Sequence, residues 1–142
     1  MVLRPHHWAD DDHGAAIIEF AILTPVFLLM LMGMLAYGIY FGAAHAIQQL
    51  AADAARTAIA GVDAPEGQRL ARDYLRRNGG VYMLIDPLLL DYDVAVAEDN
   101  RDQYLVRVSY DASDLPIWNL YPPLPLPSPH IVHWATIRRG GL

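Results

Sequence analysis

With 142 residues, 54% of them hydrophobic and 18% charged, the chain has room for one membrane segment and one small domain rather than two independent folds. A formal net charge of −6, with all ten basic residues arginines scattered along the sequence, excludes a nucleic-acid surface. Cysteine is absent, which removes disulfides, thiolate metal ligation and a thiol nucleophile.

Residues 1–13 are polar, with three histidines and the run Asp10-Asp11-Asp12, and no apolar periodicity. They read as a short disordered leader. From Ala15 to Ala52 the one charged side chain is Glu19. A carboxylate facing lipid costs about 2 to 3 kcal/mol or more, depending on depth, so it asks for a functional reason. Phe20 to Phe41 is long enough, at about 1.5 Å per residue, to cross a hydrocarbon core of about 30 Å. Arg4 and the amino terminus lie on one side, and nothing basic follows the span until Arg56, which places the N-terminus inside. Pro25 removes a backbone donor and crowds the Ala21 carbonyl, so a kink or loosened turn is expected there. Gly33, Gly38 and Gly42 offer close-packing positions, the last two at the four-residue spacing that lets helices approach.

The helix continues past the span. His45 to Ala60 has no breaker before Gly61, a candidate C-cap, and Ile47, Leu50, Ala51, Ala54 and Ala58 form one apolar stripe. Asp63, with Pro65 and Glu66 behind it, marks the start of a second helix running from about Ala64 to Arg77. Leu70, Ala71, Tyr74 and Leu75 should face inward, and Gly79-Gly80 should end it. The period then changes to two. Tyr92–Ala97 and Tyr104–Tyr110 alternate around a turn at Glu98–Asp102 and predict a hairpin, and His130–Arg138 predicts a last strand. Leu115–Pro129, with six prolines, should be an extended loop, whose stretch Tyr121–Pro129 either packs its own Leu and Tyr side chains over the sheet or is a polyproline ligand. The fold class is therefore α+β: a long N-terminal helix with a transmembrane and an amphipathic half, a short second helix, and a small antiparallel sheet of three or four strands.

Several chemistries are weak. His130 and His133 would face opposite sides of a strand, and His6, His7 and His13 lie in the leader, so no metal site is expected. Asp91, Asp93, Glu98, Asp99 and Asp102 lack calcium-loop spacing and read as turn solubility. No nucleophile elbow, P-loop or paired acid and base is visible, so no catalytic residue, cofactor or enzyme activity is expected. Ala44-His45-Ala46 fits a secretory cleavage pattern, but the apolar run is too long for that and leaves Glu19 unexplained.

Gly14-Ala-Ala-Ile-Ile-Glu19-Phe20, continuing into Ala-Ile-Leu-Thr-Pro-Val-Phe-Leu-Leu, resembles the TadE-like minor pilins, or pseudopilins, of the tight-adherence (Flp, type IVb) pilus system. The likeness runs through Gln48 and Asp53-Ala-Ala-Arg56, roughly the first 60 residues. It implies cleavage between Gly14 and Ala15 by a prepilin peptidase. Ala15 then becomes the new N-terminus and Glu19 its fifth residue, followed by the aromatic Phe20 where Tyr is frequent. In a bundle of parallel helices the new amine of one subunit can pair with Glu19 of the next. The resemblance further implies a leader at 1–14, a transmembrane helix at 15–44 and an exported domain at 45–142. It implies a single-pass protein of the bacterial inner membrane, with its C-terminal domain periplasmic or, after assembly, at the cell surface. Its implied partners are the peptidase, other pilin or pseudopilin subunits, the inner-membrane assembly platform and membrane lipid, with no nucleic acid. A membrane-anchored binding or sensing protein unrelated to pili is the competing expectation.

Overall fold

The computed structural model describes residues 12–97, 102–119, 125 and 127–139. Two helices precede a three-stranded antiparallel sheet, so the architecture is the expected α+β. The chain divides into two compact units, Met1–Leu35 and Ala36–Leu142, the first helix contributing to both.

Helix α1, Asp12–Ala58, runs without interruption through Pro25. It begins three residues before the expected Ala15. In the first unit its side chains are open: Ile17, Phe20, Ile22, Phe27 and Met34 are each more than half exposed. One window of this helix is long and apolar enough to cross a membrane, and none of that window is buried. Thr24 Oγ1 donates to the Phe20 carbonyl at 2.6 Å, in the turn that Pro25 leaves short of a backbone donor.

In the second unit the same helix becomes the spine of a core. Ala36, Ala43, Ile47, Leu50, Ala51, Ala54 and Ala58 are all fully buried, the expected stripe extended toward the N-terminus. The helix ends in tightened i→i−3 turns, in which the amides of Ile59, Ala60 and Gly61 donate to Arg56, Thr57 and Ala58. Gly61 is therefore not a left-handed cap, and no described glycine has positive φ. A closer reason requires glycine there: a Cβ on Gly61 would lie 2.4 Å from the Gly67 nitrogen, where the second helix crosses.

Helix α2, Ala64–Asn78, starts as its sequence predicts. Asp63 caps it by accepting from the Glu66 amide at 2.8 Å, and the Glu66 carboxylate reaches back to the Val62 amide. Its buried stripe is Gly67, Ala71 and Leu75, whereas Leu70 and Tyr74 are only half-buried. Gly67 marks where α2 comes close to the end of α1, since a Cβ there would lie 2.7 Å from the Ala58 carbonyl oxygen. Gly79 ends the helix in right-handed geometry, its amide donating to Leu75.

Strands β1 (Leu90–Val96), β2 (Gln103–Asp111) and β3 (His130–Arg138) form the sheet in that order, both pairs antiparallel. Tyr104, Val106, Val108 and Tyr110 of β2, with Val94 and Ile131 beside them, turn inward onto the helices. Residues 98–101 of the expected turn, and residues 120–124 and 126 of the expected proline loop, lie outside the described residues. The loop is not extended at its start: Pro116–Asn119 forms a 3-10 turn, because Pro116 presets φ for it and the Trp118 amide donates to Leu115. Leu115 and Ile117 bury their side chains in the core, ahead of the proline stretch at 121–129.

Candidate functional site

Gly14, Ala15, Glu19 and Phe20 all lie on the first turns of α1 and are exposed. The Gly14–Ala15 bond sits near the helix start, where the first four amides lack intrahelical acceptors and fraying is cheapest. A Cβ on Gly14 would meet nothing within 4 Å. The fold makes no demand for glycine at this position, so any demand comes from outside it. Glu19 lies one turn beyond Ala15, the i, i+4 spacing that sets two side chains about 5 to 6 Å apart on one helix face. Phe20 is 72% exposed beside Leu23, Thr24 and Phe27, which together line a wholly apolar surface depression.

The two helix-packing glycines differ. Around Gly38 the space is open, while at Gly42 a Cβ would lie 3.1 Å from Leu84 Cδ1 of the same unit. Gly42 therefore serves a contact within its own domain. Ala36 and Ala43, inside the stretch that hydropathy assigns to the span, belong to the buried core of the second unit. Tyr37 and Tyr40 also face that unit, donating their hydroxyls to the carbonyls of Pro125 and Ser128, the latter at 3.1 Å. Sequence reasoning missed these tyrosines, although two hydroxyls inside an otherwise apolar run were a usable signal. The secretory alternative fares poorly on the same ground. A cut after Ala46 would sever α1 between two fully buried residues, Ala43 and Ile47.

Other candidates stay apart. His130 is exposed on the outer face of β3 and His133 half-buried on the inner, and among the described residues no three His, Cys, Asp or Glu side chains are placed to hold a metal. Asp91 and Asp93 are exposed, whereas Glu98 and Asp99 lie outside the described residues. Around α2 and the loop after it, burial pushes the Tyr74 and Tyr82 hydroxyls above the usual phenol range, with the Asp53 carboxylate adding to both.

Residues 14–56 match the family model described as TadE-like protein, which is 43 of the 142 residues. No curated protein and no solved structure matches the chain. The matched segment opens on Gly14, spans the exposed apolar stretch with Glu19, and closes at Arg56 in the last turn of α1. From Gly14 to Arg56, then, the chain is similar to the TadE-like family.

Proposed function

We propose that this chain is a prepilin-type minor subunit, cut after Gly14 by a prepilin peptidase and assembled into, or priming, a tight-adherence pilus for adhesion or secretion. The observation that carries the reading is Glu19, the one charge in an exposed helical stretch whose apolar length suits a bilayer, lying inside the TadE-like match. Until assembly the helix of the first unit sits in the inner membrane among lipid, with residues 1–14 cytoplasmic and the second unit periplasmic. The new Ala15 amine then pairs with Glu19 of a neighbouring pilin, and the assembly platform draws the subunit from the bilayer. Gly38 remains free to serve a helix contact in the filament.

The test is the mass of the mature protein purified from cells with and without an active prepilin peptidase. The expected product begins at Ala15 in the first and retains residues 1–14 in the second. Gly14→Leu should leave the precursor uncut while its fold is unchanged, since the position is open. An intact leader in peptidase-proficient cells would overturn the reading in favour of a plain membrane-anchored binding protein.

A further inference from the structure

The two edges of the sheet are treated differently. The Ala97 amide donates to Gln103, and the Arg139 amide to Asp102. With the observed registers, these bonds fix which backbone groups face inward on the outer strands. On β1 the groups of Leu90, Tyr92, Val94 and Val96 point away from β2. On β3 those of Val132, Trp134, Thr136 and Arg138 do so. The β1 edge is blocked: α2 packs beside it, and Arg72 Nη2 donates to the Val94 carbonyl at 3.1 Å. On the β3 edge, among the described residues, only the His130 amide at its start is satisfied from outside the sheet, by Ser128 Oγ at 3.2 Å. The next four outward positions take no hydrogen bond from the described residues, along most of a nine-residue strand.

A groove of about 370 Å³ runs beside that open edge, between the start of β3 and the α1 turns carrying Tyr40, Phe41, Ala44, His45 and Gln48. Its lining includes the apolar Phe41, Ala44 and Ile131 and the imidazoles of His45, His130 and His133, with no carboxylate. The strand itself has no Asp or Glu and ends in Arg138, with Arg139 after it. One carboxylate, Asp111, lies near, opposite His130 in the register. Pairing of this edge with that of a second copy is disfavoured, because the strand offers Arg138 and Arg139 no carboxylate.

We propose that β3 accepts an added strand from another protein, an extended acidic segment that continues the sheet to four strands and lays alternate apolar side chains on Phe41, Ala44 and Ile131. Main-chain bonds to Val132, Trp134 and Thr136 supply affinity, and Arg138 at the strand end with Arg139 after it selects carboxylates. That the donor is a pilin-type subunit rests on the proposed function; the open edge does not.

The test places p-benzoylphenylalanine at Trp134, which is 60% exposed, in the full chain in native membranes, and maps the photo-cross-link by mass spectrometry. The expected partner site is an acidic segment of alternating polarity in another protein. Thr136→Pro removes one outward amide without touching the bonds to β2, and should lower the cross-link yield about fivefold, whereas Thr136→Val leaves it unchanged. Should the proline variant fail to fold, hydrogen exchange of the unaltered chain decides: the amides of Val132, Trp134 and Thr136 exchange fast in detergent and slowly in the assembled state. A cross-link to β3 of a second copy, to a segment without carboxylates, or to no protein overturns the proposal. The mature mass is read from the same sample. An intact leader beside the expected cross-link refutes the pilin reading alone, and a cut leader without a cross-link refutes strand addition alone.

Discussion

Gly67→Ala separates local propensity from packing, because the two give opposite signs. Gly67 lies in the interior of α2, where alanine is favoured over glycine by about 1 kcal/mol, so propensity alone expects stabilisation. The surroundings forbid it. A Cβ at this position would lie 2.3 Å from Tyr104 Oη, 2.6 Å from its Cζ and 2.7 Å from the Ala58 carbonyl oxygen. The tyrosine ring has little freedom to withdraw, since Tyr104 is 1% exposed on β2 and its hydroxyl donates to the Asp63 carbonyl at 3.3 Å. The third neighbour is backbone at the end of α1. Relief requires α2 to move away from both, at an overpacking cost of about 1 to 3 kcal/mol or more.

With three neighbours inside 3 Å the cost falls at the upper end, about 3 kcal/mol, and the net expectation is a loss of roughly 2 kcal/mol. For a domain of about 100 residues that lowers Tm by roughly 8 to 16 °C, measurable by circular dichroism of the full chain in detergent. Tyr104→Phe should recover part of the loss by removing the nearest atom. A Tm equal to or above that of the parent would show that α2 is free to shift, and would refute the account of Gly61 and Gly67 as the close-approach pair between the helices.

Two further expectations concern pH. Hydrogen bonds from the Ser113 hydroxyl (2.5 Å) and amide (3.0 Å) hold the Asp111 carboxyl below the usual carboxylate range. A depressed folded-state pKa contributes stability above the ordinary carboxylate value, lost as pH falls through the lowered one. Ser113→Ala should therefore raise the Asp111 midpoint in an NMR titration and bring acid unfolding to higher pH; an unmoved midpoint would contradict the assigned cause. Tyr74 and Tyr82 are raised first by burial and next by Asp53, so their contribution is complete below the ordinary phenol value and lost as pH rises toward the folded one. Asp53→Asn should lower both midpoints in an ultraviolet titration without removing the whole shift, and no change would rule out the carboxylate as a contributor.

The elements were legible where a local period met a local breaker. Tyr104, Val106, Val108 and Tyr110 alternate in sequence and are all buried, and Asp63 with Glu66 forms the expected cap. What sequence did not reveal depends on partners far along the chain. Tyr37 and Tyr40 find acceptors 88 residues away, and Arg72 reaches a strand 22 residues on. Gly61 reads as a cap from its position, yet its use is a contact with Gly67, visible only once the helices dock. The candidate site was the opposite case. Gly14 and Glu19 stand out because one small residue and one charge border an apolar run, a contrast that needs no fold. The structure adds that neither is required by the domain, which makes an external use easier to defend.

Glu19→Gln turns that independence into a test of the charge. A carboxylate at the bilayer centre costs about 2.5 to 3.5 kcal/mol, and less toward the end of the span, where Glu19 precedes Phe20, whereas attraction to an amine at 4 Å amounts to about 4 kcal/mol at an effective dielectric of 20. Pairing thus offsets the cost of burial, and without an amine the cost stands alone. On the proposed cleavage after Gly14, two amines could serve, the chain's own at Ala15 one turn away and a neighbour's. Only the neighbour's ties the charge to assembly. If the own amine sufficed, Glu19→Gln would alter membrane insertion and filament incorporation alike. If the neighbour's is used, the glutamine variant inserts as well as the parent, is cut after Gly14, and fails to enter filaments. Quantifying the mature subunit in membrane and sheared-pilus fractions separates the cases. Equal incorporation of the glutamine variant would leave Glu19 with no part in assembly, and the stretch from Gly14 to Leu35 would then be an anchor alone.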